Sequence, residues 1–82
     1  MKRKIFKVGK KYVVKLDFIS GVDKFLEGEV LVFSRESYSP YDSSFAYQFI
    51  CQDGEFKTWW INEDLPTDTW KMHFFSPLLV GD

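Results

Sequence analysis

Eighty-two residues, with eleven basic and twelve acidic side chains, make one nearly neutral domain and are too few for two. Sixteen aromatics (nine Phe, four Tyr, three Trp) give so short a chain a dense core at roughly 150–250 Å² buried per ring, with rings left over for the surface. Cys51 is the sole cysteine, which excludes an internal disulfide or a cysteine-based metal site and points to a reducing, cytoplasmic setting.

Residues 1–8 read as a basic lead-in to a single domain over 9–82. Lys2, Arg3, Lys4, Lys7, Lys10, Lys11 and Lys15 precede the first acid, Asp17. No apolar stretch of signal-peptide length follows the opening charges. No run reaches the ~20 apolar residues of a membrane span, so no membrane association is expected. Within the lead-in, Ile5, Phe6 and Val8 are candidate anchors.

Tyr12, Val14, Leu16 and Phe18 then alternate with polar or smaller residues, a period of two that predicts a strand with this set inward. Residues 19–28 hold Ser20-Gly21 and end at Glu27-Gly28, the composition of a long loop, with Phe25 tucked in. Residues 29–35 are β-branched and aromatic, a second strand with Leu31 and Phe33 on one face. Residues 36–44 carry Ser, Pro and Asp and read as a loop, although they also hold Tyr38 and Tyr41.

Residues 45–51 and 55–61 read as two strands around Asp53-Gly54, the signature of a hairpin with a type I′ turn. At the end, Trp70, Met72 and Phe74 alternate with Thr69, Lys71 and His73 as in a strand, while Trp70, His73 and Phe74 also match helical spacing; the reading taken is a short helix over 68–75, with Thr67 or Asp68 as cap and Pro77 as stop. Tyr12, Val14, Leu16, Phe25, Leu31, Phe33 and Phe49 form the expected core. Short strands in a meander suggest a small barrel, whose closure hides the unpaired edges of an apolar sheet.

Two resemblances sharpen this. Phe25-Leu26-Glu27-Gly28-Glu29-Val30-Leu31 is similar to the segment that leads into the second strand of SH3 domains. Gly9, Tyr12, Val14, Phe18, Gly28-Glu29, Leu31, Phe33, Pro40-Tyr41-Asp42 and the Asp53-Gly54 hairpin resemble an uncharacterised family of small bacterial domains of unknown function. The resemblance implies a mostly β fold: a small SH3-like barrel of about five antiparallel strands with a short C-terminal helix. It implies no activity. The Trp59-Trp60 pair falls about one strand later than the SH3 tryptophan pair, so a proline-peptide groove is not implied.

Cys51 with His73 and an acid such as Asp53 or Asp64 supplies the residue types of a nucleophilic site. No signature spacing accompanies them, and Cys51 is in phase with Phe45, Tyr47 and Phe49, as a core residue is. Glu63, Asp64 and Asp68 lack a calcium-loop pattern, and no phosphate-binding glycine loop is present. No catalytic residue, metal or cofactor is expected.

The constellation that stands out is aromatic. Tyr38 and Tyr41 flank Pro40, and Trp59 and Trp60 point to opposite faces of one strand. Tyr38, Tyr41 and Trp59 are therefore the candidate binding patch of a non-catalytic protein- or peptide-interaction domain. The alternative is a nucleic-acid-binding barrel that uses Lys2, Arg3, Lys4, Lys7, Lys10 and Lys11 with exposed aromatics.

Overall fold

The computed structural model describes residues 5–78. Its elements are β1 (Lys11–Val14), β2 (Phe18–Ser20), β3 (Asp23–Phe25), β4 (Val30–Ser39), β5 (Ser44–Cys51), β6 (Phe56–Asn62), α1 (Thr67–Phe74) and β7 (Phe75–Pro77). The expectation of a mostly β domain with one short C-terminal helix holds. Five strands form an antiparallel sheet in the order β6-β5-β4-β1-β7, and β2 and β3 make a separate hairpin. Among the described residues no helix is long and apolar enough to cross a membrane.

The first strand is shorter than the alternation predicts. The Val14 carbonyl accepts the Gly28 N–H, and the Lys15 N–H goes to the Phe74 carbonyl. The chain thus leaves the sheet after Val14, and Leu16 is only half-buried. The expected loop over 19–28 contains the β2–β3 hairpin instead. Gly21 and Val22 are its two loop residues, with Gly21 at φ +61°, the residue type and position of a II′ turn. A Cβ on Gly21 would lie 3.3 Å from Trp60 Cδ1, so the hairpin tip rests on the indole because it has no side chain there.

The turn at Asp53-Gly54 is not type I′. Gly54 has φ +90° while Asp53 stays at negative φ. Gly54 N–H donates to the Cys51 carbonyl at 2.9 Å and Cys51 N–H to the Glu55 carbonyl at 2.7 Å. A type I turn followed by a left-handed glycine fits these bonds, a three-residue loop rather than a two-residue one. Asp53 fits the non-left-handed position because its carboxylate accepts the Glu55 N–H at 3.0 Å, the local bond that makes Asp a turn residue.

Of the expected core, Tyr12, Val14, Phe25, Leu31, Phe33 and Phe49 are buried together, joined by Tyr47, Cys51, Trp59, Ile61 and Phe75. Phe6 sits at the centre, 4% exposed. Its ring centroid lies 5.0–5.9 Å from those of Tyr12, Phe33, Tyr47, Phe49, Trp59 and Phe75, mostly edge to face, the arrangement ring quadrupoles favour. The Lys7 N–H donates to the Tyr12 hydroxyl at 2.9 Å, which fixes the entry of this segment. The basic lead-in therefore supplies the middle of the core, while Val8 faces solvent.

The helix begins after Pro66 with no side-chain cap from Thr67 or Asp68. Pro66 is the N-cap, with extended backbone at φ −72°, ψ 93°. The helix ends at Phe74 because Phe75 turns extended and pairs with Val14. The Lys15 ammonium donates to the Met72 carbonyl at 2.6 Å, which places a cation at the negative helix end. Pro77 lies in the edge strand β7, where a missing N–H does little harm.

Side chains of the hairpin replace a ladder along the outer side of β6. Ser20 Oγ accepts the Trp60 N–H at 2.8 Å and Asp23 Oδ2 the Thr58 N–H at 3.0 Å. Lys57 donates to the Glu29 carboxylate at 2.8 Å and to the Lys24 carbonyl, with its ammonium 5.6 Å above the Phe25 ring. An edge of unpaired amides is in this way covered.

Candidate interaction surface

Strand phase decides where the two tryptophans go. Trp59 pairs with Tyr47 and Trp60 with Ala46. Trp59 therefore faces inward, 3% exposed, with Tyr47 at 5.5 Å and Phe75 at 5.2 Å between ring centroids. Its expected place in an exposed patch is corrected: Trp59 is core, and Trp60, 45% exposed, is the surface ring.

The expected tyrosines also separate. β4 runs on to Ser39, so Tyr38 lies in a strand rather than a loop. Its hydroxyl donates to Glu63 Oε1 at 2.6 Å, and its ring lies 5.1 Å from Phe45. That hydrogen bond, first among the causes, raises the Tyr38 pKa. Tyr41 stands in the turn over 40–43, 98% exposed. Tyr38, Tyr41 and Trp59 thus do not form one patch. Lys7, Lys10 and Lys11 of the alternative basic patch are exposed; Lys2, Arg3 and Lys4 lie outside the described residues.

What the fold does bring together is an apolar groove of about 240 Å³ between β2, β6 and α1. Phe18, Trp59 and Phe74 form its floor; Ile19, Trp60, Leu65 and Trp70 are its exposed walls. The floor is a continuous stack. Phe74 lies 4.1 Å from Phe18 and 6.2 Å from Trp59, and Trp70 stacks on Phe74 at 5.6 Å. The helix has no fully buried residue; Phe74 packs against the edge of the core, and Trp70, stacked on it, lines the groove. Glu63 and Asp64 sit between Asn62 and Leu65, two lining residues, and Tyr38 is tied to the same segment through Glu63. The helical spacing of Trp70 and Phe74 signalled this wall, but nothing local signalled that Ile19 would face it.

The nucleophile reading finds no support in the geometry. Cys51 borders a cleft with Glu29, Val30, Gln52 and Asp53. His73 lies elsewhere, on α1 against Trp70 and Phe74. Burial, with the Glu29 charge second, pushes the Cys51 thiol up to about 11, the opposite of activation. Among the described residues no group of three potential ligands is placed to hold a metal ion.

No protein-family model matches the chain, and no curated protein matches it. Among solved structures, an integron cassette protein from the mobile metagenome of Vibrio cholerae is similar, with a TM-score of 0.69 and 19% identity. The match covers 90% of this chain and 87% of that one. Likeness at this identity is likeness of fold.

Proposed function

We propose that this chain is a non-catalytic protein-interaction domain whose groove between β2, β6 and α1 holds an extended partner segment. Its strand order β6-β5-β4-β1-β7, with a hairpin between the first and second sheet strands, is read here as that of an SH3-like barrel. The observation that carries the reading is Trp60 and Trp70 standing exposed on opposite walls of one apolar channel, with Ile19 and Leu65 beside them. Large rings at the rim of a concave site supply contact area at low entropy cost, as binding hot spots do. The groove borders Glu63 and Asp64, so the partner segment carries apolar side chains next to Lys or Arg. One buried thiol and no disulfide suit a cytoplasmic protein of this kind.

The test is selection from a displayed random peptide library, followed by fluorescence polarisation of the enriched sequences. Peptides with apolar residues beside a basic one are expected. Trp60→Ser and Trp70→Ser should each weaken them by ~10-fold or more, the scale of a hot-spot ring. A short single-stranded oligonucleotide serves as the rival ligand. Steeply salt-dependent oligonucleotide binding, lost on replacing Lys7, Lys10 and Lys11, would install the nucleic-acid reading instead.

A further inference from the structure

The sheet has a second face, and its composition departs from that of a solvated one. Tyr12, Leu31, Phe33, Phe49 and Cys51 point into the core, so their neighbours Val13, Val30, Val32 and Ile50 point away from it. An antiparallel sheet with one face in water ordinarily alternates apolar inside with polar outside. Here β1, β4 and β5 carry four β-branched aliphatics on the outer face, all half-buried. β6 adds Phe56, 56% exposed.

The register gathers these side chains. Lys11 pairs with Val32, Val32 with Ile50 and Ile50 with Phe56, one row across four strands. Val13 and Val30 pair in the row on one side of it, Arg35 and Gln48 in the row on the other. The central row reads cation, aliphatic, aliphatic, ring. Turned over about an axis along the strands, between Val32 and Ile50, the row lays Lys11 on Phe56 and Val32 on Ile50. An ammonium then meets the face of a ring, and Glu55, exposed beside Phe56 in the chain, adds a carboxylate at that end. Self-complementarity under a two-fold axis is what an isologous interface requires. A net charge of −1 hardly opposes the approach of a second copy.

We propose that this face is the contact of a two-fold homodimer, with the two sheets stacked about 10 Å apart. Four strands ~4.8 Å apart and three rows ~6.8 Å deep span roughly 400 Å². That is less than the ~800 Å² per partner of a standard stable complex, so the dimer is weak and exchanges with monomer. Ile19, Leu65 and Trp70 of the groove belong to β2, the segment after β6, and α1, outside this face. The pairing is therefore independent of what the groove binds.

The experiment is sedimentation equilibrium of the full chain from ~10 µM to ~1 mM, with amide chemical shifts followed over the same range. A monomer–dimer equilibrium is expected, with shifts at Val13, Val30, Val32, Ile50 and Phe56 and none at Ile19, Leu65 or Trp70. Val32→Glu and Ile50→Lys should each weaken self-association by ~10-fold or more. Mixing the two variants should restore a dimer, because the introduced carboxylate of one copy faces the introduced ammonium of the other. Should either variant fail to fold, Lys11→Glu, at an exposed position, decides in its place and should weaken pairing by a few-fold. A chain that stays monomeric throughout, shifts confined to the groove, folded variants that mixing does not rescue, or pairing indifferent to Lys11→Glu would overturn the assignment.

Discussion

Truncating Phe6 tests whether the lead-in is part of the domain. The ring is enclosed by side chains of β1, β4, β5, β6 and β7, five strands of one hydrogen-bonded sheet that cannot close independently around a void. Phe6→Ala should therefore lie toward the upper part of the ~3–5 kcal/mol range for emptying a buried Phe site. At ~0.05–0.15 kcal/mol per residue the whole domain is worth ~4–12 kcal/mol, so this one change removes a third or more of it. With ~4–8 °C per kcal/mol in a domain of this size, the melting midpoint should fall by ~15–40 °C. Near-ultraviolet circular dichroism is the suitable assay, because the rings that report packing are those that lose it. Val8→Ala, two positions on and exposed, is the control and should shift stability by no more than ~0.5 kcal/mol. A Phe6→Ala chain that melts within ~1 kcal/mol of the parent would refute the central placement of this ring.

Gly54→Val forces a β-branched residue to φ +90° and should lose ~1–3 kcal/mol in urea unfolding; an unchanged midpoint would mean the turn has another shape. Asp23→Ala removes the acceptor of the Thr58 amide and should cost about 1 kcal/mol, with faster hydrogen exchange at Thr58, whereas unaltered exchange there would contradict the edge cover. At pH 8 a thiol with a pKa of about 11 carries ~100-fold less thiolate than one near 9, so iodoacetamide should modify Cys51 far more slowly in the folded chain than in urea. The folded pKa values of Cys51 and Tyr47 are both raised, to about 11 and about 12. Stability should hold below pH 9 and decline from pH 9 to 12, as the unfolded chain loses these protons first; a flat profile over that window would show that neither group is desolvated.

Most of the fold was legible because its signals are local. Alternation found the inward faces of Tyr12, Val14, Leu31, Phe33 and Phe49, and Trp70 and Phe74 gave the helix against a competing strand pattern. The misses have long-range causes. Whether Leu16 stays in the first strand depends on Gly28 and Phe74 taking the backbone partners around Val14 and Lys15. Whether Trp59 or Trp60 is buried depends on which of them shares a face with Tyr47, a fact of register and not of residue type. Phe6 was visible as a candidate anchor, but nothing in its flanking lysines marks it as the centre of the core. The Glu29–Lys57 pair was equally hidden, since its members lie 28 residues apart.

One irregularity links the fold to the groove. Leu31, Phe33 and their partners Cys51 and Phe49 set an odd-numbered inward phase on β4. The register then shifts between Phe33 and Arg35, leaving Ser34 as the extra residue of a β-bulge. Beyond it the inward phase is even, so Glu36 and Tyr38 stand opposite Tyr47 and Phe45. Without the bulge, Arg35 and Ser37 would take those places opposite Tyr47 and Phe45. Tyr38 would also turn from the face on which it meets Phe45 and reaches Glu63. A period-two reading of 29–35 cannot contain this change of phase, because it assumes a single one. The placement of Glu36 opposite Tyr47, and the tether that ties Tyr38 to the segment beside the groove, both follow from that one inserted residue.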